Sequence, residues 1–430
     1  MTAARSHEFF FLEKGDDMER NVLAQLTKKI DGYADEVVRL QTELCKLPAL
    51  GPESDGEGEL KKAEFLEGYL KSIGFRDIKR YDAPDTRVPC GFRRNIAATI
   101  PGASTTSRLW VMTHMDVVPP GDLNMWTGDP WTVRVEGDKI IGRGCEDNQQ
   151  GMISSLLAAK AFHEAGIEPR LPYGVVLVSD EETGNALGAG YVVKAQKDLF
   201  RKSDLIIIPD AGNPKGTMLE VAEKSILWIK FHTKGKQTHG STPDKGANAH
   251  KASCYMVSRL ESLYKKFGKK SAIFDPPMST FEPTKKEANV PNVNTIPGED
   301  VVYFDCRILP HYKLADVIKT VTQIARETER RYKVKIAVTI PQKQVAAPPT
   351  PVDAPVVKAI TAAMKDLRKR TPKPMGIGGG TVAKFFREKG YACAVWGTQD
   401  EVAHSPDEYS KLSATLADAK AFAHIALQDW

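Results

Sequence analysis

The first half of the chain alternates short apolar runs with segments of helical periodicity. Three runs are almost wholly apolar, as expected of strands buried on both faces of a parallel sheet. These runs are Leu109–Thr113, Val175–Val178 and Leu205–Ile208. The segments 20–47 and 60–73 instead repeat apolar residues about every 3.6 positions, and Gly74 suits the end of the second helix. This alternation predicts an α/β domain of βαβ units with covered faces.

The pattern changes beyond Val221 and predicts a second folding unit. Strand-like and helix-like segments follow one another there in the order β-α-β-α-β. The five segments are Ile226–Thr233, Ala249–Phe267, Val301–Leu309, Leu314–Arg331 and Val334–Ile340. A proline-rich stretch at 346–355 then leads into a helix at 356–370, which returns the chain to the first domain.

Side chains with metal-binding chemistry follow the predicted strands. The carboxyl ends of strands form the ligand crevice of an open α/β sheet, so these side chains are expected to share one site. The candidates are His114, Asp147, Glu182, Asp210 and His404. Mixed imidazole and carboxylate ligands favour zinc, with cobalt or manganese as alternatives, over an all-oxygen magnesium or calcium site. Five such ligands, one of them bridging, suffice for two ions about 3.5–4 Å apart.

Glu181 and Glu182 are adjacent carboxylates that follow the run Val175–Val178. Neighbouring side chains at a strand exit point in different directions, so one carboxylate can bind a cation while the other accepts a proton from water. A pair of solvated loop glutamates is the alternative for this motif taken alone. The other strand-end candidates favour the metal site.

Six motifs occur in the order and spacing of one enzyme family. They are T-H-M-D-V-V-P, G-R-G-C-E-D-N, S-D-E-E-T-G, P-D-A-G, H-G-S-T-P and A-H-S-P-D-E. Together they resemble the co-catalytic zinc exopeptidases and deacylases, which include aminoacylases, acetylornithine deacetylase, succinyl-diaminopimelate desuccinylase, glutamate carboxypeptidases and dipeptidases. The resemblance runs from about Glu36 nearly to the C-terminus. It implies a mixed-sheet α/β catalytic domain with an inserted two-layer α+β lid and dimerisation domain.

The resemblance also implies roles for the candidate ligands. It assigns two terminal ligands to each of two ions and a shared carboxylate between them. The terminal pairs are His114 with Asp210 and Glu182 with His404, and the bridge is Asp147. By the same resemblance, Asp116 orients the first histidine and Glu181 is the general base.

Further positions that match the family lie later in the chain. The resemblance implies that His239 reaches the active site of a partner subunit and stabilises the oxyanion. The implied substrate contacts are Asn294, Arg307, Gly380 and Thr381. An arginine offers a planar clamp for a carboxylate, and a surface arginine on a strand is the alternative. The segment G-I-G-G-G-T lacks a P-loop lysine, so a tight loop near substrate is favoured over a phosphate cradle.

The expected domains follow from these patterns and from the resemblance. They are an N-terminal extension at 1–17, a catalytic domain at 18–223 and 346–430, and the inserted lid domain at 224–345. The chain departs from many family members at Gln149–Gln150, where a lysine is common, and at Val382, where an aspartate is common. These departures bear on the substrate, since neither changes a ligand.

The composition is that of an ordinary globular protein. At 430 residues, the chain is long enough for about two domains, and 41% hydrophobic and 27% charged residues are typical values. The net charge of +5 comes from interspersed residues, which argues against nucleic-acid or membrane partners. Six scattered cysteines without a C-x-x-C pair indicate reduced thiols, and Cys145 is not expected to be a ligand. The sequence shows no secretion signal or membrane span, so a cytoplasmic location is expected.

These observations together predict a two-metal amidohydrolase that acts as a homodimer. The first expectation for its substrate is an N-acyl amino acid, such as an acetyl or succinyl amide of the ornithine or diaminopimelate type. A dipeptidase or carboxypeptidase needs the same residues and is the alternative. A non-catalytic scaffold is disfavoured because no ligand or base position is missing.

Overall fold

The computed structural model describes residues 20–196 and 198–430, so the extension expected at 1–17 lies outside the described residues. The chain forms two compact units. The first takes in the described residues up to Val221 together with Thr350–Pro374 and Phe385–Trp430, and the second comprises Ala222–Pro349 and Met375–Lys384. The domain boundaries drawn from the sequence stay a prediction.

The helices are named in chain order. They are α1 (20–31), α2 (Ala34–Cys45), α3 (Leu60–Ser72), α4 (Gly151–Ala165), α5 (Ala189–Ala195), α6 (Ala249–Leu260), α7 (Ser262–Lys266), α8 (Leu314–Tyr332), α9 (Pro355–Arg368), α10 (Ala383–Glu388) and α11 (Leu412–Ala426). Among the helices in the two described ranges, none combines the length and apolar composition that crossing a membrane requires.

The strands are named in the same way. They are β1 (Asp77–Pro84), β2 (Phe92–Ile100), β3 (Leu109–His114), β4 (Arg134–Glu136), β5 (Lys139–Ile141), β6 (Tyr173–Val178), β7 (Leu205–Gly212), β8 (Met218–Glu223), β9 (Ser225–Lys234), β10 (Thr238–His239), β11 (Thr280–Lys286), β12 (Thr295–Ile296), β13 (Glu299–Ile308), β14 (Lys335–Gln344), β15 (Lys373–Ile377), β16 (Cys393–Gly397) and β17 (Tyr409–Lys411).

An eight-stranded mixed sheet carries the first unit, in the order β1-β2-β6-β3-β7-β16-β8-β15. Its central strands β6, β3, β7 and β16 run parallel, whereas β1, β2 and β8 pair antiparallel with their neighbours. Every residue of β3 and β6 is buried, as their apolar runs predict. The mixed α/β fold expected from the sequence is confirmed. The carboxyl ends of its parallel strands lie at one edge of the sheet, and candidate ligands lie at or just beyond these ends.

The second unit is a two-layer α+β structure. Its antiparallel sheet has the order β11-β13-β9-β14, and α6 and α8 contribute to one apolar core with the sheet. Leu227, Phe231 and Phe304 from the sheet belong to this core with Met256 of α6 and Val321 of α8. A separate two-stranded ribbon pairs β10 with β12.

Three local features differ from the sequence expectations. The helix expected at 20–47 is two helices separated at Gly32 and Tyr33, where glycine has low helix propensity. The helix expected at 249–267 is interrupted at Glu261. Strand β11 was not expected, because it is mostly exposed and polar and its pairing with β13 comes from tertiary context.

Candidate metal centre

The first unit brings the five candidate ligands together from five chain segments. His114 ends β3, and Asp210 lies in β7, next to it in the sheet. Glu182 lies in the turn that follows β6, and Asp147 lies just before α4. His404 lies in the loop between β16 and β17.

The Asp147 carboxylate lies between the two histidines. Its Oδ1 is 2.8 Å from Nε2 of His114, and its Oδ2 is 3.1 Å from Nε2 of His404. Each oxygen therefore faces a different imidazole. This arrangement is what a carboxylate bridging two neighbouring ions requires.

Two groups of possible ligands share this carboxylate, and the ligand atoms of each group lie within 4.8 Å of one another. The first group consists of His114, Asp147 and Asp210, and Asp210 Oδ1 lies 3.3 Å from Nε2 of His114. The second group consists of Asp147, Glu182 and His404, and Glu182 Oε2 lies 3.1 Å from Nε2 of His404. No cysteine of the described residues belongs to either group.

The negative charge of these carboxylates favours the protonated form of the neighbouring His404. Hydrogen bonds with Asp147 and Glu182 raise the pKa of His404 to about 10. Although burial disfavours the charged forms, the hydrogen bonds with both histidines hold the pKa of Asp147 well below its usual range. Burial raises the pKa of Glu182. A site with this field and these N and O donors fits divalent cations.

Asp116 connects His114 with the turn that contains Glu181 and Glu182. Nδ1 of His114 donates to the Asp116 carbonyl oxygen at 3.0 Å and lies 3.5 Å from its carboxylate. This bond fixes the tautomer, so Nε2 of His114 is the atom turned toward the ligand group. The buried Asp116 carboxylate also accepts the backbone N–H of Glu182 at 3.0 Å.

Glu181 belongs to neither ligand group but lies in the same negative field. Burial, followed by the charge of Asp210, raises the pKa of Glu181 well above its ordinary value. The side chain of Asn185 donates to Oε1 of Glu181 at 3.0 Å. Glu181 is therefore held beside the candidate ligands but outside both groups.

A model of the peptidase family M20/M25/M40 matches residues 110–428, which include all five candidate ligands. The chain belongs to this family. The resemblance seen in the motifs is thus confirmed, and the M20 chain is a metallohydrolase.

Two curated relatives align with the M20 chain over most of its length. It is 39% identical to an uncharacterised metallohydrolase of Methanocaldococcus jannaschii, over 91% of this chain and 98% of the relative. It is 25% identical to succinyl-diaminopimelate desuccinylase of Stenotrophomonas maltophilia, over 86% of this chain and 93% of the relative.

Solved structures share the fold of the M20 chain at lower identity. Human carnosine dipeptidase 1 superposes with a TM-score of 0.69 at 18% identity, covering 94% of this chain and 98% of the dipeptidase. A dinuclear metal-binding M20 peptidase of Bacillus subtilis superposes with a TM-score of 0.63 at 15% identity, covering 92% and 98%.

Sequence reasoning missed several buried polar residues around the candidate ligands of the M20 chain. Asn148 donates to Oδ1 of Asp210 at 2.6 Å and to the Pro209 carbonyl at 2.8 Å, which orients the aspartate. Glu146 and Glu408 accept hydrogen bonds from the backbone beside two other candidate ligands. Glu146 and Glu408 lie inside family motifs, which was the available signal in the sequence. The backbone groups that they bond are distant in sequence, so the motifs do not identify those groups.

The second unit of the M20 chain contains the remaining candidates. β10 and β12 bring His239 and Asn294 near each other, since Gly240 donates its backbone N–H to the Asn294 carbonyl at 2.6 Å. Thr381 donates its N–H and hydroxyl to Glu223 at 2.8 and 2.6 Å, and Gly380 beside it is exposed.

Arg307 lies on β13 and is already partly engaged within the second unit. Its guanidinium pairs with both carboxylate oxygens of Asp305, at 2.6 and 2.9 Å, and donates to the Gly378 carbonyl at 3.0 Å. The Gly378 contact and the bonds of Thr381 connect the segment Met375–Lys384 to the rest of this unit. The sequence did not predict the pairing with Asp305.

Proposed function

We propose that the chain is a two-metal amidohydrolase that removes the acyl group from an N-acyl amino acid. The observation that carries the proposal is the Asp147 carboxylate, with one oxygen near each histidine. Similarity to a succinyl-diaminopimelate desuccinylase over most of both chains supports deacylation. The acyl group in that relative's name is succinyl, so succinyl and acetyl amides are the first substrates to test.

The two ligand groups would hold one ion each. His114 and Asp210 would complete the first site and Glu182 and His404 the second, with Asp147 shared. Mixed nitrogen and oxygen ligands favour zinc, with cobalt or manganese as alternatives. When bound, such ions supply Lewis-acid polarisation of the scissile carbonyl and acidify water at neutral pH.

Glu181 would accept the proton of the attacking water and pass it to the leaving amine. Burial favours the neutral form of Glu181 and so makes its carboxylate a stronger base, and Asn185 holds its Oε1 in one place. Asp116 would keep the His114 ring in the orientation that presents Nε2. This division leaves Glu182 as ligand and Glu181 as base.

Asn294 and Arg307 would bind the α-carboxylate of the substrate, and the loop with Gly380 and Thr381 would approach the substrate through its own backbone N–H groups and Thr381. A guanidinium has five N–H donors, and Arg307 uses three of them on Asp305 and Gly378. The remaining donors are held in a fixed plane by those three bonds. They favour a carboxylate, which offers two anionic acceptor oxygens, over a neutral amide, which offers only one acceptor oxygen.

Loss of this contact should depend on the charge of the substrate. Arg307→Ala should lower kcat/KM for the free acid by about ten- to a hundredfold, because charge-assisted hydrogen bonds contribute about 1.5–3 kcal/mol. Amidating the carboxylate should impair the wild type by a similar factor and the variant much less. Steady-state kinetics with both substrates measures the two effects.

Arg259→Ala is the matched control, because Arg259 is a surface arginine of the same unit that pairs with Glu327. It should leave both rates unchanged. Equal wild-type turnover of the free acid and the amide would refute the carboxylate clamp.

His239 would help stabilise the oxyanion, reaching the active site of a second subunit in a homodimer. Its side chain is exposed and its Nδ1 lies 2.8 Å from the Ser241 hydroxyl, so the ring is oriented within its own chain. The proposed location of the protein is the cytoplasm.

A metallo-dipeptidase or carboxypeptidase is the second candidate, and the fold shared with human carnosine dipeptidase 1 favours it. A panel of N-succinyl and N-acetyl amino acids, dipeptides and C-terminally extended peptides separates the two. The proposal expects kcat/KM to be highest for an N-acyl amino acid. Dipeptides turned over faster than every acyl amide would establish the second candidate instead.

A further inference from the structure

Two buried carboxylates connect the loop that contains Asp147 with the loop that contains His404. Both Glu146, in the loop before α4, and Glu408, at the end of the loop between β16 and β17, are almost completely buried, at 2% and 0% exposure. Each glutamate lies next to or near a candidate ligand in sequence, but its side chain reaches the other loop. The two loops are more than 250 residues apart in the chain.

Glu146 holds the loop of His404. Its Oε1 accepts the backbone N–H of Asp400 at 2.6 Å, and its Oε2 accepts that of Val402 at 2.6 Å. Three residues of this loop, Glu401, His404 and Asp407, have φ between +52° and +63°. That conformation is uncommon for residues other than glycine, and Asp and His adopt it more readily than most, so the backbone contacts of Glu146 help to maintain it in this loop.

Glu408 holds the loop of Asp147 in return. Its Oε1 accepts the backbone N–H groups of Glu146 and Asp147, both at 3.0 Å. Its Oε2 pairs with Nη1 of the buried Arg143 at 2.5 Å, and Nη2 of Arg143 lies 3.4 Å from the carbonyl oxygen of His404. One ion pair therefore touches the backbone of both candidate ligands.

We infer that Glu146 and Glu408 form a reciprocal clasp that positions Asp147 and His404 for the second ion. The inference rests on the ligand roles in the proposed function. Neither glutamate carboxylate belongs to a ligand group, so both are positioning residues. The clasp joins the segment that contains Asp147 to the segment that contains His404. Only the second ion would take ligands from both segments, since the first ion would take its other ligands from β3 and β7.

The clasp makes an asymmetric prediction for metal affinity. In Glu146→Gln, an amide group replaces one of the two accepting oxygens and faces a backbone N–H, so one loop contact is lost. Binding of the second ion should weaken by about ten- to a hundredfold, the usual effect of losing a positioning contact around a metal site. Binding of the first ion should stay as in the wild type.

Titration of the metal-free full chain with Zn²⁺ by isothermal calorimetry measures both affinities. Asp204→Asn is the matched control, because Asp204 is also a buried carboxylate that accepts backbone N–H groups, from Arg108 and Arg201, but at the opposite end of β7. It should lower the melting temperature without changing either affinity. Glu408→Gln is the milder variant, since its carbonyl oxygen can still accept both N–H groups while the Arg143 pair is lost.

The possible results distinguish the clasp from the proposed function. Weakening of one ion in the Glu146 or Glu408 variant, with the control unchanged, supports the clasp. Wild-type affinity for both ions in folded Glu146→Gln and Glu408→Gln would overturn it and leave the two-metal function standing. Equal weakening of both ions would also overturn it. A wild-type chain that binds fewer than two ions would overturn the proposed function and the clasp with it.

Discussion

Glu181→Gln is expected to lower kcat by about a hundred- to ten-thousandfold, the range that general-base catalysis contributes. The amide keeps the size of the side chain but cannot accept the proton of the attacking water. Because Glu181 belongs to neither ligand group, the variant should retain both ions. Steady-state kinetics and metal analysis by mass spectrometry on the same preparation measure the two properties.

Glu182→Gln is the matched comparison, since it makes the same chemical change one residue along the chain. Glu182 Oε2 lies 3.1 Å from His404, within the second ligand group, so this variant should lose the second ion as well as activity. Loss of metal from Glu181→Gln, or retention of most of its rate, would show that the two roles are assigned wrongly.

Asp147→Ala is expected to have the largest effect on metal binding of any single substitution. Its two oxygens face different histidines, so the variant should fail to hold either ion tightly. The ions are expected to contribute several kcal/mol of transition-state stabilisation, and every 1.36 kcal/mol is a factor of ten. The rate should therefore fall by at least about a thousandfold.

Asp210→Ala tests whether Asp147 is shared. Asp210 belongs to the first group alone, so its loss should remove one ion and leave the second, whereas Asp147→Ala should remove both. Metal content per chain, measured after dialysis against metal-free buffer, distinguishes the two patterns. Equal metal content in the two variants would contradict a bridging role for Asp147.

The sequence predicted the family and the mixed α/β fold because both depend on local signals. Buried runs such as Val175–Val178 identify strands by composition alone, and the candidate ligands follow strand ends within family motifs. The structure brings His114, Asp147 and Asp210 to within one ligand group, as that reasoning expects. Their roles in metal binding stay predictions.

The contacts that hold the candidate ligands could not be predicted from the sequence. Glu146 and Glu408 accept backbone N–H groups, which every residue offers, so no side-chain pattern identifies their partners. The pairing of Arg307 with Asp305 depends on rotamers on one strand of the second unit. Strand β11 forms by pairing with β13, although its own residues are mostly polar.

The number of ions bound by the wild-type chain tests the central claim most directly. Native mass spectrometry of the metal-free protein, after addition of Zn²⁺, gives that number without requiring a substrate. Two ligand groups that share Asp147 predict two ions per chain, with hydrolytic activity restored as the second ion binds. Full activity with a single ion, or none bound at saturating Zn²⁺, would contradict the two-metal account.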